Sequence, residues 1–398
     1  MNFWITFWQK IQRLNIIMLL ATLILAAAGT FFVKSACSVR LSAGLQSLWV
    51  EHLLFGLRGL CLMFLIALTD YRKWIRLSPW AYIAVLIALV LVLIPSIGTE
   101  QMGARRWLFG LQPSEPAKLV IVMMLAYVLG RWRTGLHGVA GLFLCVALVG
   151  VPALLILAEP DLGTAIVLVP TCLLMLFVAN VSPKILGMCV LLGVLATVYV
   201  VSLIYVAKAP ETAPEREAEL IALTGLRPHQ VRRVETFLYP MRDLHGSGYN
   251  VRQSEIAVGS GGLFGKGYTK GVQNLLGYLP ASVSANDFIF PVVAEETGFV
   301  GSSILLGLYL LGFLVSGLII GMRCVDDTGK LLCVGIVSLI FCHVFINIGM
   351  TVRIVPITGL PLPFISQGGT FMLVMMMGVG ILQSVAVHGR TSDTVFQH

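Results

Sequence analysis

NIIMLLATLILAAAGTFFV, residues 15–33, carries no charge and nothing more polar than one asparagine and two threonines. At about 1.5 Å of rise per residue, a helix of this run is as long as a bilayer's hydrocarbon core is thick, ~30 Å. It lacks a clear small-residue cleavage site, so it reads as a span and not as a removable signal. Similar runs recur along the chain, near 48–69, 79–96, 115–130, 138–158, 163–180, 185–206, 298–321, 332–350 and 366–387. Backbone groups inside hydrocarbon must be satisfied within the segment, so each run is predicted to be a helix. The expected fold is an all-α polytopic membrane protein with about ten transmembrane helices, and a large loop, about 207–297, between helices 7 and 8.

Composition agrees. The 398 residues are 58% hydrophobic and 12% charged, too few charges to keep a soluble surface wet. The net charge of +8 sits in short loops at span ends, a topology signal that gives no reason to invoke nucleic acid. Placing the N-terminus in the cytoplasm puts eleven basic residues inside: Lys10, Arg13, Arg72, Lys73, Arg76, Arg131, Arg133, Lys184, Arg323, Lys330 and Arg390. Six remain on the short outer loops: Lys34, Arg40, Arg105, Arg106, Lys118 and Arg353. With ten spans both termini are cytoplasmic and the 207–297 loop is outside. Six of the eight cysteines lie in apolar runs with no ligand spacing and read as buried thiols. No phosphate loop, dinucleotide fingerprint or zinc motif is visible.

Ionisable residues at membrane depth are costly and are functional candidates by default. In GARRWLFGLQPSEPAKL (103–119), the arginine forks suit pyrophosphate oxygens, which favours a functional Arg106, whereas Glu115 and Lys118, three apart, read as a structural ion pair. In AEPDLGTA (158–165), Asp161 is either a helix cap or part of the chemistry. Arg232 and Arg233, within RPHQVRRVETF (227–237), read as generic attraction to anionic head groups. GSGGLFGKG (259–267) allows close turns around a ligand, and Asp287 heads the apolar run NDFIFPVVAEETG (286–298). Asp287 is either a general base with a raised pKa or an N-cap. NIGMTVRIVPITGLPLPFISQGG (347–369) is irregular between two spans and reads as a groove wall. Residues 207–219 read as a solvated, partly flexible segment, and 251–258 as a short amphipathic helix on the membrane.

From the third span onward these motifs, in this order, resemble the SEDS family of cell-wall polymerases, which includes RodA and FtsW. The pattern GKG…GVQ at Lys266–Gln273 looks more like the RodA branch. The resemblance implies one SEDS-type membrane domain over 1–398, in the bacterial cytoplasmic membrane. It implies a peptidoglycan glycosyltransferase that polymerises lipid II at the outer face, for cell elongation and shape, with undecaprenyl pyrophosphate as leaving group. A class B penicillin-binding protein, a transpeptidase with one membrane helix, is the implied partner. Asp287 falls on the family's essential aspartate, Arg106 on the arginine of its GxxRW motif, Glu115 and Lys118 on its PSExxK pair, and Asp161 on the aspartate of its QPDxGT motif. Arg232, Arg233 and Lys266 are then further candidates to bind the substrate. A divalent cation such as magnesium suits such a leaving group, but no dedicated carboxylate cluster for one is visible. Two departures stand out: ASVSAN (281–286) is two residues longer than the family's segment, and Glu159 and Gln367 replace the usual Gln and Tyr. The alternatives are a lipid II flippase, a non-catalytic scaffold for the penicillin-binding protein, and the division paralogue.

Overall fold

The structure is a computed structural model and describes residues 2–38, 47–101, 104–131, 139–209, 213–243 and 246–390. Gly103, Arg40 and Arg133, used above, lie outside the described residues. A short helix α1 (Asn2–Gln12) precedes α2 (Ile16–Cys37), α3 (Leu48–Leu68), α4 (Tyr71–Leu93), α5 (Ser114–Arg131), α6 (Val139–Ala158), α7 (Leu162–Val178) and α8 (Pro183–Ala207). Then come α9 (Pro214–Leu223), α10 (Pro228–Leu238), α11 (Ser247–Ser260), the single turns α12 (Val272–Leu275) and α13 (Ala281–Ser284), and a long α14 (Ile289–Arg323) with a π-helical stretch at Leu310–Val315. The last two are α15 (Asp327–Thr351) and α16 (Gly369–His388).

Eight of these helices are long and apolar enough to cross a membrane. The other two predicted spans are also present: α5 carries Glu115, Lys118 and Arg131, and α7 has 17 residues. Several helices begin where their chemistry allows. Asn15, Asp70, Asp161 and Asp326 cap α2, α4, α7 and α15 by accepting from backbone N–H groups that have no partner inside the helix. Proline, which needs no N–H bond in the first turn, starts α8, α9 and α10.

The deepest burial falls on α15 and α16, which pack on α3, α5 and α7, while α8 is almost entirely exposed. Apolar exposure of that kind belongs to a helix whose surroundings are lipid.

Several boundaries differ from expectation. The third span starts at Tyr71 and carries Pro79 inside it, and the eighth starts at Ile289. A small hairpin, β1 (Thr99–Gln101) with β2 (Ala104–Trp107), adds the only strands among the described residues. Residues 214–219 are helical where a flexible segment was expected. Helix α11 packs on α14, and not only on a membrane surface. Cys61 and Cys189, expected to be buried, are exposed on the apolar surface.

Candidate active site

The polar ends of α6, α7 and α14, the hairpin, α10 and the irregular segment 352–368 converge at one end of the bundle. Asp287 lies there, half-buried, one residue before the α14 N-cap. It does not cap the helix: the N-cap is Phe288, which has no side-chain cap bond. Among the described residues nothing donates to its carboxylate. One oxygen, Oδ2, stands 3.3 Å from where a Cβ on Gly359 would lie, so a side chain at 359 would crowd it. Burial raises its pKa to about 6; Arg233 and Arg106 pull it down and Asp161 pushes it up. These four residues therefore share one electrostatic neighbourhood.

The two arginines are held by backbone carbonyls, which leaves their charge uncancelled. Arg106, on β2, donates from Nε to the Glu159 carbonyl at 3.2 Å and from Nη2 to that of Pro160. Arg227 donates to the Ala158 carbonyl at 3.3 Å. Thus three successive carbonyls at the end of α6, the negative end of its dipole, are taken by guanidinium groups. Arg233 donates to the Thr358 carbonyl at 2.8 Å, next to Gly359, and burial with Arg106 lowers its pKa. His229 is also lowered, by burial and then by Arg233, Arg227 and Arg106. Asp161 is the expected helix cap. It caps α7 through Thr164 N (3.2 Å), accepts from Thr164 Oγ1 (2.9 Å) and from Ser114 and Gln112 (both 3.3 Å), and lies within the field of Asp287.

The remaining predicted residues lie elsewhere. Lys266 Nζ pairs with Glu295 at 2.7 Å, eight positions beyond Asp287. Arg232 pairs with Asp243 at 3.4 Å on the far face of α10, beside a groove of about 460 Å³. Glu115 and Lys118 form the expected pair at 2.9 Å, buried in the bundle, where Lys118 Nζ also lies 3.0 Å from His343 Nε2. Arg227, His229 and Asn347 carry no signal of their own in the sequence, because a single polar residue on an apolar or basic stretch has no periodicity to set it apart. No three His, Cys, Asp or Glu side chains among the described residues are grouped to hold a metal ion.

Residues 14–391 match the FtsW/RodA/SpoVE family, described as cell cycle proteins. The chain is 34% identical to the peptidoglycan glycosyltransferase MrdB of Escherichia coli over 387 residues, 96% of each protein. It is 35% identical to a probable peptidoglycan glycosyltransferase FtsW of Coxiella burnetii, over 92% of this chain and 94% of that one. A solved chain from a peptidoglycan synthase complex, described for its coordination of polymerization and crosslinking, superposes with a TM-score of 0.72 at 25% identity, covering 94% of this chain and 97% of that one. A polytopic helical bundle with these motifs at one end, matched over nearly its whole length, belongs to the FtsW/RodA/SpoVE family.

Proposed function

We propose that this chain is a peptidoglycan glycosyltransferase that polymerises lipid II at the outer face of the bacterial cytoplasmic membrane, with both termini cytoplasmic. The observation that carries the reading is Asp287: a half-buried carboxylate with a raised pKa, nothing donating to it among the described residues, and two arginines acting on it. The acceptor sugar's 4-hydroxyl attacks the anomeric carbon of the donor as the bond to undecaprenyl pyrophosphate breaks. Asp287 takes the hydroxyl proton, a step worth ~10²–10⁴-fold in rate. Arg106 and Arg233, fixed by carbonyls and not paid off by carboxylate partners, stabilise the charge developing on the pyrophosphate. Asp161 orders the floor of the site by holding the start of α7 against Gln112 and Ser114.

The whole chain acts as one membrane domain, on the RodA branch, which serves elongation and shape; the Lys266–Gln273 pattern supports this choice. Its partner is a class B penicillin-binding protein. An apolar groove of about 440 Å³ between α14 and α15, lined by Leu306, Leu310, Phe313, Phe341 and Val344, suits a single membrane helix.

The test is polymerisation of purified lipid II by the reconstituted protein with its partner, wild type beside Asp287→Asn. Glycan strands from wild type alone support the reading. Strands from both would keep the polymerase and move the base elsewhere, with Asp161 next in line. Strands from neither, where the same partner supports a known polymerase, would leave a flippase or a scaffold.

A further inference from the structure

No regular element aims Asp287. Helix α13 has ended at Ser284, α14 starts at Ile289, and the residues between carry no helix cap from the Asp287 side chain. Yet three successive carbonyls in this gap are each taken by a donor from the 347–367 region. Gln367 N donates to Ala285 O at 2.9 Å, Ser366 Oγ to Asn286 O at 2.7 Å, and Asn347 Nδ2 to Asp287 O at 2.8 Å. Asn347 is fully buried on α15, and the same Nδ2 donates to Leu360 O at 2.6 Å. Leu360 follows Gly359, whose Cα faces Asp287 Oδ2. One side-chain amide therefore ties the backbone of Asp287 to the backbone of the wall its carboxylate faces. Both bonds end on carbonyl oxygens, so only a donor can stand there, and a flipped amide would set oxygen against oxygen.

We propose that Asn347 is a positioning residue for Asp287, holding the carboxylate at its setting against the 352–368 segment. Ser366 is the second brace: it donates to Asn286 O and accepts from Leu362 N at 2.7 Å. The inference rests on Asp287 being the base, since it has meaning only if the direction of that carboxylate matters.

The experiment uses Asn347→Leu, which keeps the volume and loses both donated bonds, and Ser366→Ala, a milder variant, with the full chain and its partner and rates per folded protein. A displacement of about 1 Å costs on the order of 10²-fold. Asn347→Leu should lower kcat by about 10–100-fold while the KM for lipid II stays within about twofold. The acid limb of the pH–rate profile should move to higher pH, because the carboxylate drifts from Arg106 and Arg233, which hold its pKa down against burial and Asp161. Ser366→Ala should move rate and limb in the same directions by less. A limb that stays at its wild-type position in both variants, whatever their rates, overturns the proposal in favour of a structural role, as does full activity in Asn347→Leu. Activity in Asp287→Asn overturns the base assignment and this inference together. An inactive Asp287→Asn beside an unaffected Asn347→Leu overturns this inference alone.

Discussion

Asp287 must be ionised to accept a proton, and its surroundings resist ionisation. Burial outweighs the arginines, so the carboxylate is protonated below about pH 6. Polymerisation by the wild type should accordingly fall as pH drops through about 6, measured as initial rate against pH at saturating lipid II. A limb near the ordinary carboxylate range would count against this environment. Glu159 is the opposite case. It is fully buried, neither oxygen has a hydrogen-bond partner, and burial with Asp161 raises its pKa to about 8 against the pull of Arg106. At neutral pH it is therefore an uncharged acid, close in shape and charge to a glutamine. Above about pH 8 it becomes an anion beside Arg106 and competes with pyrophosphate for that cation. Glu159→Gln should leave the neutral-pH rate unchanged and remove an alkaline decline. A decline that persists in the variant would assign it to another group.

Helix α14 is interrupted within its first half. Gly298, at φ 70° and ψ −164°, sits in a region essentially reserved for glycine and interrupts the helix. The backbone groups freed by the break are taken up by the glycine-rich loop. Lys266 N and Gly267 N donate to Glu295 O and Glu296 O at 2.9 and 3.0 Å, while Phe299 N and Val300 N donate to Gly262 O and Leu263 O at 2.8 and 3.0 Å. Glu295 completes the join by accepting from Val272 N at 2.9 Å and from Lys266 Nζ. The run GSGGLFGKG is thus a splice for a broken membrane helix, and its close turns wrap protein backbone. A Cβ at 298 would lie 2.3 Å from Gly265 N. Gly298→Ala should cost about 1–3 kcal/mol from the backbone alone, read as a lower melting temperature in detergent. Lys266→Met should also lower the melting temperature but leave KM for lipid II unchanged. A raised KM with unaltered stability would return Lys266 to the substrate.

Across the whole molecule, one buried polar knot ties three of the most buried helices. Lys118 of α5 is fully buried between Glu115 and His343 of α15, and stands 5.2 Å from the ring of Phe371 on α16. Removing one partner of such a pair strands the other charge, at a cost of about 3–5 kcal/mol. Lys118→Met should therefore unfold or destabilise the protein more than Lys118→Met with Glu115→Gln, compared by thermal melts in the same detergent. Equal losses would mean that the lysine acts through packing and not through its charge.

Apolar runs alone located the ten long helices in order and approximate position, because hydrocarbon leaves a backbone no alternative to the helix. The sequence also marked out Asp287, Arg106, Asp161 and the Glu115–Lys118 pair, since a charge in a greasy stretch is conspicuous. Long-range packing separated Arg233, which reaches Thr358 beside Asp287, from its neighbour Arg232, which points the other way along the same helix to Asp243. It also turned Lys266 toward Glu295, and brought Asn347 and the 352–368 segment to one carboxylate. Those choices depend on contacts between residues far apart in the chain, such as Asn347 with Asp287, for which local composition carries no record.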